Sequence, residues 1–237
     1  MNSELRIPLN TTPEQAERLL ALQAAFAQVC NALAEVVQQT RIWNRVVLHH
    51  LTYKRLREQF PAMGSQMVCN AIYSVSRHSR IVFQHPASPF NVGKLGERPL
   101  PRLQFTATCP VYFDRHTLSI KDGQLSMYTL DGRMRFQLGL RPEDEQRFHQ
   151  GKLREVVLSQ YAPRAFALSF TFGEAPFSAG GDATEGERLP AIDAAAGAQQ
   201  SDAVPLPASA PQHMTMPTPA SPPLPDYLKV EPLNESA

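Results

Sequence analysis

The sequence of 237 residues lacks the features that define several common classes of protein. It has three cysteines, Cys30, Cys69 and Cys109, and this odd, widely spaced set offers neither a disulfide framework nor a CxxC pair. We find no run of about 18 apolar residues, so we expect no membrane span. The N-terminus has neither the basic start nor the apolar core of a secretory signal. These absences favour a reduced, cytoplasmic compartment.

Short motifs of several enzyme classes are also missing. The sequence contains no GxSxG, GxxxxGKS/T or GxGxxG motif. His49 and His50 lack the HExxH spacing of zinc hydrolases and point about 100° apart on a helix, so at most one can face a given site. The residues therefore predict no metal site and no cofactor.

Charge is distributed unevenly along the chain. The net charge is +1, but residues 1–172 carry 21 Lys and Arg against 13 Asp and Glu, whereas residues 173–237 carry 2 against 9. A basic part of +8 is thus joined to an acidic part of −7. This asymmetry favours nucleic-acid binding over the alternative, a solvated surface that leans basic.

The acidic part has the composition of a disordered segment. Residues 173–237 hold 11 of the 21 prolines and few aromatic residues. Such a segment buries too little apolar surface to offset the entropy of ordering, so we predict a disordered, Pro/Ala-rich acidic tail. One apolar island, residues 224–230, could dock on a partner or back on the domain, but its pattern favours coil.

The first 85 residues predict one strand and three helices. Leu5–Leu9 alternates apolar and polar residues and contains a proline, which is typical of a short edge strand. Thr12, Pro13 and Gln15 form a capping box before an amphipathic helix that runs to about Thr40. A second helix is expected near residues 47–60, with Leu48, Leu51, Leu56 and Phe60 facing inward. A third follows from a Ser65 cap, with Val68, Ile72, Val75 and Val82 buried.

After a Pro- and Gly-rich loop, the pattern changes to strands. Asp122-Gly123 and Asp131-Gly132 predict two hairpins. Pro142 to Gly151 predicts a short helix, and residues 166–172 alternate again. The order of one strand, three helices and about six strands predicts an α+β chain, whose first strand returns to the later sheet as part of a barrel.

Basic residues of the helical part are the candidate nucleic-acid contacts. Arg77 and Arg80 cluster at the end of the third helix, where cations also suit the helix dipole. Trp43 could stack on a base between two phosphate-binding arginines, or pack at a helix junction. The predicted contacts are Arg41, Trp43, Arg45, Lys54, Arg55, Arg57, Arg77 and Arg80.

Several segments resemble, in order, the N-terminal part of TnpB-type proteins, which are transposon-encoded RNA-guided nucleases related to type V CRISPR effectors. These segments are residues 5–15 with Cys30-Asn31, 50–57, 64–72, 101–105, 112–119 and 129–133. The resemblance implies a β-barrel wedge domain, formed by residues 1–12 and 86–172, with a helical recognition domain of residues 13–85 inserted after its first strand.

The sequence departs from this family after residue 172. Relatives continue into a RuvC-like nuclease domain that begins with an Asp-containing Gly-Val/Ile-Asp-Leu-Gly motif, but residues 173–182 lack it, and no CxxC zinc insert is present. Asp182, Glu185 and Glu187 lie in coil-forming sequence, which does not hold carboxylates rigidly enough for two-metal catalysis, so no catalytic residue is assigned.

We therefore expect a binding module without nuclease activity, with structured guide-like RNA, duplex DNA or both as partners. One alternative is half of a split or truncated RNA-guided endonuclease, with its catalytic domain on another chain. Another alternative is a degenerate fragment.

Overall fold

The computed structural model of the protein describes residues 3–114, 116–121, 123–150, 152–173 and 223–231. One strand precedes three long helices, and the remaining strands follow them. The helices are α1 (Pro13–Thr40), α2 (Arg45–Gln59), α3 (Ser65–Phe83), α4 (Val92–Leu95) and α5 (Pro142–Gln150). The strands are β1 (Ser3–Leu9), β2 (Arg102–Phe105), β3 (Val111–Phe113), β4 (Leu118–Lys121), β5 (Gln124–Thr129), β6 (Gly132–Gln137), β7 (Lys152–Ala162), β8 (Ala165–Gly173) and β9 (Leu228–Glu231).

Local sequence signals set both ends of α1. The Thr12 hydroxyl accepts a hydrogen bond from the Gln15 backbone N–H (3.2 Å), and the Gln15 side chain accepts one from the Thr12 N–H (3.0 Å). This capping box satisfies two donors that a helix start leaves unpaired. The helix ends at Thr40, where Arg41 turns the chain with φ 57°. The predicted bounds of α1 are confirmed.

The next two helices both start slightly earlier than predicted. The Asn44 side chain accepts hydrogen bonds from the N–H groups of Val46 and Val47 (3.0 and 3.2 Å), so α2 begins directly after it rather than near Val47. Ser65 is the first residue of α3, and Gly64 takes the cap position without a side-chain hydrogen bond. The prediction of Ser65 as a cap was therefore wrong by one residue.

The buried stripe of α2 is narrower than predicted. Leu48 and Leu56 are buried, but Leu51 is 53% exposed. Thr52 lies inward instead, and its hydroxyl donates to the Leu48 carbonyl (2.6 Å). Because α2 packs chiefly against α3, only one narrow face of it is covered. The predicted stripe of α3, by contrast, is buried throughout.

The N-terminal strand joins a sheet formed by the C-terminal half of the fold. β1 pairs antiparallel with β8, from Ser3 opposite Phe172 to Leu9 opposite Phe166. The sheet has the order β1-β8-β7-β3, so β1 lies at an edge, where the missing N–H of Pro8 is tolerated. This pairing confirms the prediction that the first strand returns to the later strands, with α1–α3 between the two in the chain.

Strands β4, β5 and β6 form a second antiparallel sheet with two hairpins. The first hairpin has Gly123 at φ 70° in its loop, as predicted, while its partner Asp122 lies outside the described residues. The second loop is Leu130–Asp131, one residue earlier than predicted, and Gly132 follows it at φ 107°. Both glycines adopt backbone angles that other residues disfavour.

The apolar island of the tail is not coil. β9, at Leu228–Glu231, pairs antiparallel with β2 and places Leu228 opposite Phe105. Leu228 is buried in the core. The expectation of coil for residues 224–230 was therefore wrong, and the docked alternative describes the structure. Residues 174–222, including Asp182, Glu185 and Glu187, lie outside the described residues, and disorder there stays a prediction.

The fold class is α+β, as predicted, with three antiparallel sheets of four, three and two strands. The expected barrel is not closed by the strands that the structure describes, because each of these sheets keeps two free edges. The described residues nevertheless share one continuous apolar core, to which α1, α3 and all three sheets contribute.

The apolar stripe of α1 lies in this core. By length and composition alone α1 could cross a membrane, which the sequence analysis did not anticipate. Its apolar positions, among them Leu19, Phe26 and Leu33, are completely buried against the rest of the fold. α1 is thus a core helix.

Candidate functional site

A concave surface of about 440 Å³ lies beside the start of α2 and along one face of α3. We call it the α2–α3 groove. Because its α3 residues repeat every three or four positions, they share one face of the helix. An adjoining pocket of about 190 Å³ shares Arg45 and Tyr73 with the groove and extends it toward β3 and β7. The groove is lined by Arg45, Tyr73, Ser76, Arg77, Arg80 and Ile81.

Tyr73 forms the centre of the groove and holds Arg45. The Arg45 guanidinium carbon lies 5.2 Å from the centroid of the Tyr73 ring, a cation–π distance. The Tyr73 hydroxyl donates to Glu155 Oε2 (3.2 Å), and its ring meets Tyr112 edge to face at 5.6 Å. These contacts fix the ring, while the Arg45 side chain makes no ion pair with a described residue and stays exposed.

Arg77 is already neutralised within the protein. One of its terminal nitrogens donates to both carboxylate oxygens of Glu155, at 2.8 and 2.7 Å. Partial burial lowers the pKa of Arg77, but Tyr112 and Glu155 outweigh this effect, so the pKa lies above its ordinary value. Arg77 therefore contributes little free positive charge to the groove.

Three other arginines keep their charge available. Arg45, Arg80 and Arg154 are exposed and form no ion pair with any residue that the structure describes. The second acidic residue of the region, Asp114, accepts hydrogen bonds from the N–H groups of His116 and Thr117 at 3.0 Å each. Because these donors are neutral, Asp114 keeps its negative charge, and the positive excess of the region comes from the three exposed arginines.

The remaining predicted contacts do not line the groove. Arg41 is bound to the protein itself, because it donates to the carbonyls of Arg98 (2.9 Å) and Gly96 (2.8 Å). Arg57 donates to the Met63 carbonyl. Both guanidinium groups therefore link a loop to a helix through hydrogen bonds to loop carbonyls.

Three further predicted residues, Lys54, Arg55 and Trp43, do not line the groove either. Lys54 and Arg55 are exposed on α2 and make no ion pair among the described residues. The Trp43 ring is partly buried 5.6 Å from Phe83, and its carbonyl accepts from the Ser76 hydroxyl (2.7 Å). This position matches the alternative of packing at a helix junction.

A second basic surface was missed by the sequence analysis. Inward residues of β4, β5 and β6 such as Leu125, Met127 and Phe136 are buried, so the alternate residues form an outer sheet face. The Arg133 guanidinium carbon lies 4.2 Å from the Tyr128 ring centroid, and Tyr128 is 43% exposed. The outer sheet face consists of Ser119, Lys121, Gln124, Ser126, Tyr128, Arg133, Arg135 and Gln137, none of them acidic.

Alternation across the two hairpins was the signal for this face. Once the turns are placed, every second residue within each of β4, β5 and β6 points outward. Three of these outward residues, Lys121, Arg133 and Arg135, are cations. Arg154 of the adjoining pocket carried no such signal, because its position depends on how β7 packs beside α3.

No constellation for metal or nucleophilic chemistry occurs in the described part of the chain. It contains no cluster of three or more His, Cys, Asp or Glu side chains suited to a metal ion. His49 stacks on Tyr53 at 4.7 Å, and partial burial with the neighbouring His50 lowers the pKa of His49. Burial also raises the pKa of the Cys30 and Cys69 thiols, which disfavours the reactive thiolate.

A scan of the chain against protein-family models found no match, and a search of curated proteins found no significant similarity. The geometry of the groove and of the outer sheet face is therefore the basis for a functional proposal.

Proposed function

We propose that the protein is a nucleic-acid-binding module that holds a phosphate backbone along the α2–α3 groove and does not itself cleave it. The observation that carries this proposal is a set of exposed guanidinium groups that form no ion pair with a described residue. They belong to Arg45 and Arg80 of the groove and to Arg154 of the adjoining pocket. The proposed partners are structured guide-like RNA, duplex DNA or both, as the resemblance to TnpB-type proteins implies.

Guanidinium groups suit this task because they stay charged and offer paired N–H donors to phosphate oxygens. Of the two acidic groups of the region, Glu155 is paired with Arg77, and Asp114 keeps its charge but is outnumbered by the three exposed arginines. A phosphate that enters the groove therefore meets cations without displacing an internal ion pair.

The outer sheet face supplies a second surface for the same ligand. The Arg133 guanidinium stacks over Tyr128 and also donates to the Ser126 hydroxyl (3.1 Å), which holds both side chains in place. An exposed aromatic ring beside cations can stack on an unpaired base while its neighbours bind phosphates. In this proposal the groove contributes backbone contacts and the outer sheet face contributes base stacking.

The lack of cleavage is proposed from the sequence. Residues 173–182 contain no equivalent of the Asp-containing nuclease motif of the resembling family. Binding to the phosphate backbone of a nucleic acid, whatever its base sequence, is then the simplest activity for this chain. Phosphate contacts position a nucleic acid but do not depend on its bases.

The experiment compares Arg80→Glu with Arg147→Glu in the full chain. Both changes remove the charge of an exposed arginine and add a negative one, but Arg147 lies on α5 and does not line the groove. Affinity for a labelled RNA stem-loop and for a DNA duplex is measured by fluorescence anisotropy.

We expect Arg80→Glu to weaken binding of at least one ligand by about tenfold, or about 1.4 kcal/mol, and Arg147→Glu to have a small effect. Equal losses in both variants would show that only overall charge matters. No binding by the wild-type chain would refute the proposal.

A further inference from the structure

The C-terminal strand β9 fills an edge of β2 that has no other strand neighbour among the described residues. Four residues pair on each side, from Leu228 opposite Phe105 to Glu231 opposite Arg102. In sequence, residues 174–227 separate this strand from β8, so β9 and β2 are segments that lie far apart in the chain. The contact therefore has the form of a peptide added to a sheet edge.

Backbone hydrogen bonds show which side of β2 is open to such a peptide. The Asn31 side chain accepts from the Phe105 N–H (2.7 Å) and donates to the Phe105 carbonyl (2.9 Å). Because alternate residues of a strand turn their backbone groups to opposite sides, Gln104 and Thr106 face β9. The Thr106 N–H accordingly donates to the Tyr227 carbonyl (2.9 Å). Without an added strand, this side of β2 would lack partners.

A buried histidine provides a specific contact for the tyrosine before β9. His78 is 3% exposed, and its Nδ1 lies 2.8 Å from the Ser74 carbonyl, which requires a proton on Nδ1. The neutral ring then accepts the Tyr227 hydroxyl at Nε2 (3.0 Å). Burial lowers the pKa of His78, and burial raises that of Tyr227 to about 12, so both groups keep these roles at neutral pH.

The side chains of residues 227–231 differ in how deeply they are buried beside β2. Leu228 is 4% exposed, and Tyr227 and Val230 are partly buried against the core, whereas Lys229 and Glu231 face solvent. The Leu228 N–H donates to the Pro225 carbonyl (2.9 Å), which forms the turn that leads into the strand. The contacts thus define a pattern of Pro-x-Tyr-Leu-x-Val.

We propose that the open edge of β2 and the buried His78 imidazole beside it form a peptide-binding slot. This slot recognises Pro-x-Tyr-Leu-x-Val segments by pairing them with β2 as an added strand. Its ligand is residues 225–230 of this chain, which bind in cis and also from a second copy of the chain in trans. Recognition rests on the Tyr227 hydroxyl and the buried Leu228, because an empty slot leaves an unpaired imidazole nitrogen and open strand edge. The contact residues of the slot, among them His78 and Tyr227, do not line the α2–α3 groove or its adjoining pocket.

A fluorescent synthetic peptide of residues 223–231 is the probe, and the full chain carrying Leu228→Asp is the receptor. The substitution weakens the cis segment while leaving the β2 slot unchanged. The wild-type full chain is the control, in which the chain's own segment competes with the peptide for the slot. A cooperative thermal melt verifies that the variant is folded, and if it is not, the Tyr227→Phe full chain replaces it.

We expect the peptide to bind the variant at least about tenfold more tightly than it binds the wild-type chain, because the cis competitor is weakened. A peptide with phenylalanine in place of Tyr227 should bind about tenfold more weakly, since the imidazole loses its partner. Absence of peptide binding to the folded variant, or equal binding of a scrambled peptide, would overturn the proposal. Binding of nucleic acid is not required for either result.

Discussion

Removing the negative charge of Glu155 would free the charge of Arg77, which the ion pair between them now neutralises. The groove would then gain an available cation without a new basic residue. Glu155→Gln keeps the shape of the residue and retains an oxygen that can accept the Tyr73 hydroxyl. It removes the charge that neutralises Arg77, whose nitrogen now lies 2.7 Å from the carboxylate. The variant should therefore bind nucleic acid more tightly at low salt.

The size of this effect follows from counting phosphate contacts. Arg45, Arg80 and Arg154, which form no ion pair with a described residue, predict a slope of about −2.7 for the logarithm of duplex affinity against the logarithm of salt, at about 0.9 per contact. Releasing Arg77 adds a fourth contact and a slope of about −3.6. Between about 50 and 200 mM salt, affinity should fall roughly 40-fold for the wild-type chain and roughly 150-fold for the variant.

The matched control is Glu17→Gln, which also removes one negative charge and frees an arginine. Glu17 lies on α1 and pairs with Arg164 at 2.5 Å, outside both the groove and the outer sheet face. Fluorescence anisotropy over a salt series gives each slope. If Glu155→Gln and Glu17→Gln change the slope equally, or if neither changes it, the assignment of phosphates to the groove is incorrect.

Three other predictions concern the fold and the tail. Thr12→Ala removes one half of the α1 capping box and should lower the free energy of unfolding by about 1 kcal/mol in urea titrations, whereas Thr12→Ser should cost little. Because burial lowers the pKa of His78, with Arg77 also opposing its protonation, the unfolded chain binds a proton more readily. Stability should therefore fall as pH drops below about 6.5 and level off below the folded-state pKa, and His78→Gln should flatten this dependence in thermal melts. Neutralising the five acidic residues between positions 176 and 218 should tighten non-specific binding at low salt, if the tail competes for the basic surface; unchanged affinity would argue against such competition.

Local signals predicted most of the elements, because their causes lie within a few residues of one another. The Thr12 capping box and the glycine of the first hairpin are examples. Leu51 was misplaced because helical periodicity does not say how many neighbours cover a helix, and α2 has one main neighbour. β9 was missed because its partner β2 lies more than a hundred residues away in sequence.

The site was less predictable than the fold. Arg77 and Arg80 lie together on α3 as their spacing suggested. The sequence did not reveal that Arg45 joins them in the groove or that Glu155 neutralises Arg77. Arg41 looked like a phosphate contact, yet its left-handed backbone directs its guanidinium to loop carbonyls. Such roles depend on tertiary contacts between segments that periodicity does not relate.

The central claim is that nucleic acid lies in the α2–α3 groove, and cross-linking tests it most directly. Cells that express the full chain are irradiated, and nucleotide adducts on the purified protein are mapped by mass spectrometry, with Arg80→Glu as the comparison. We predict adducts on Tyr73 or its neighbours in α3, and their loss in the variant. Adducts confined to other surfaces, or a protein that carries no nucleic acid, would contradict the account.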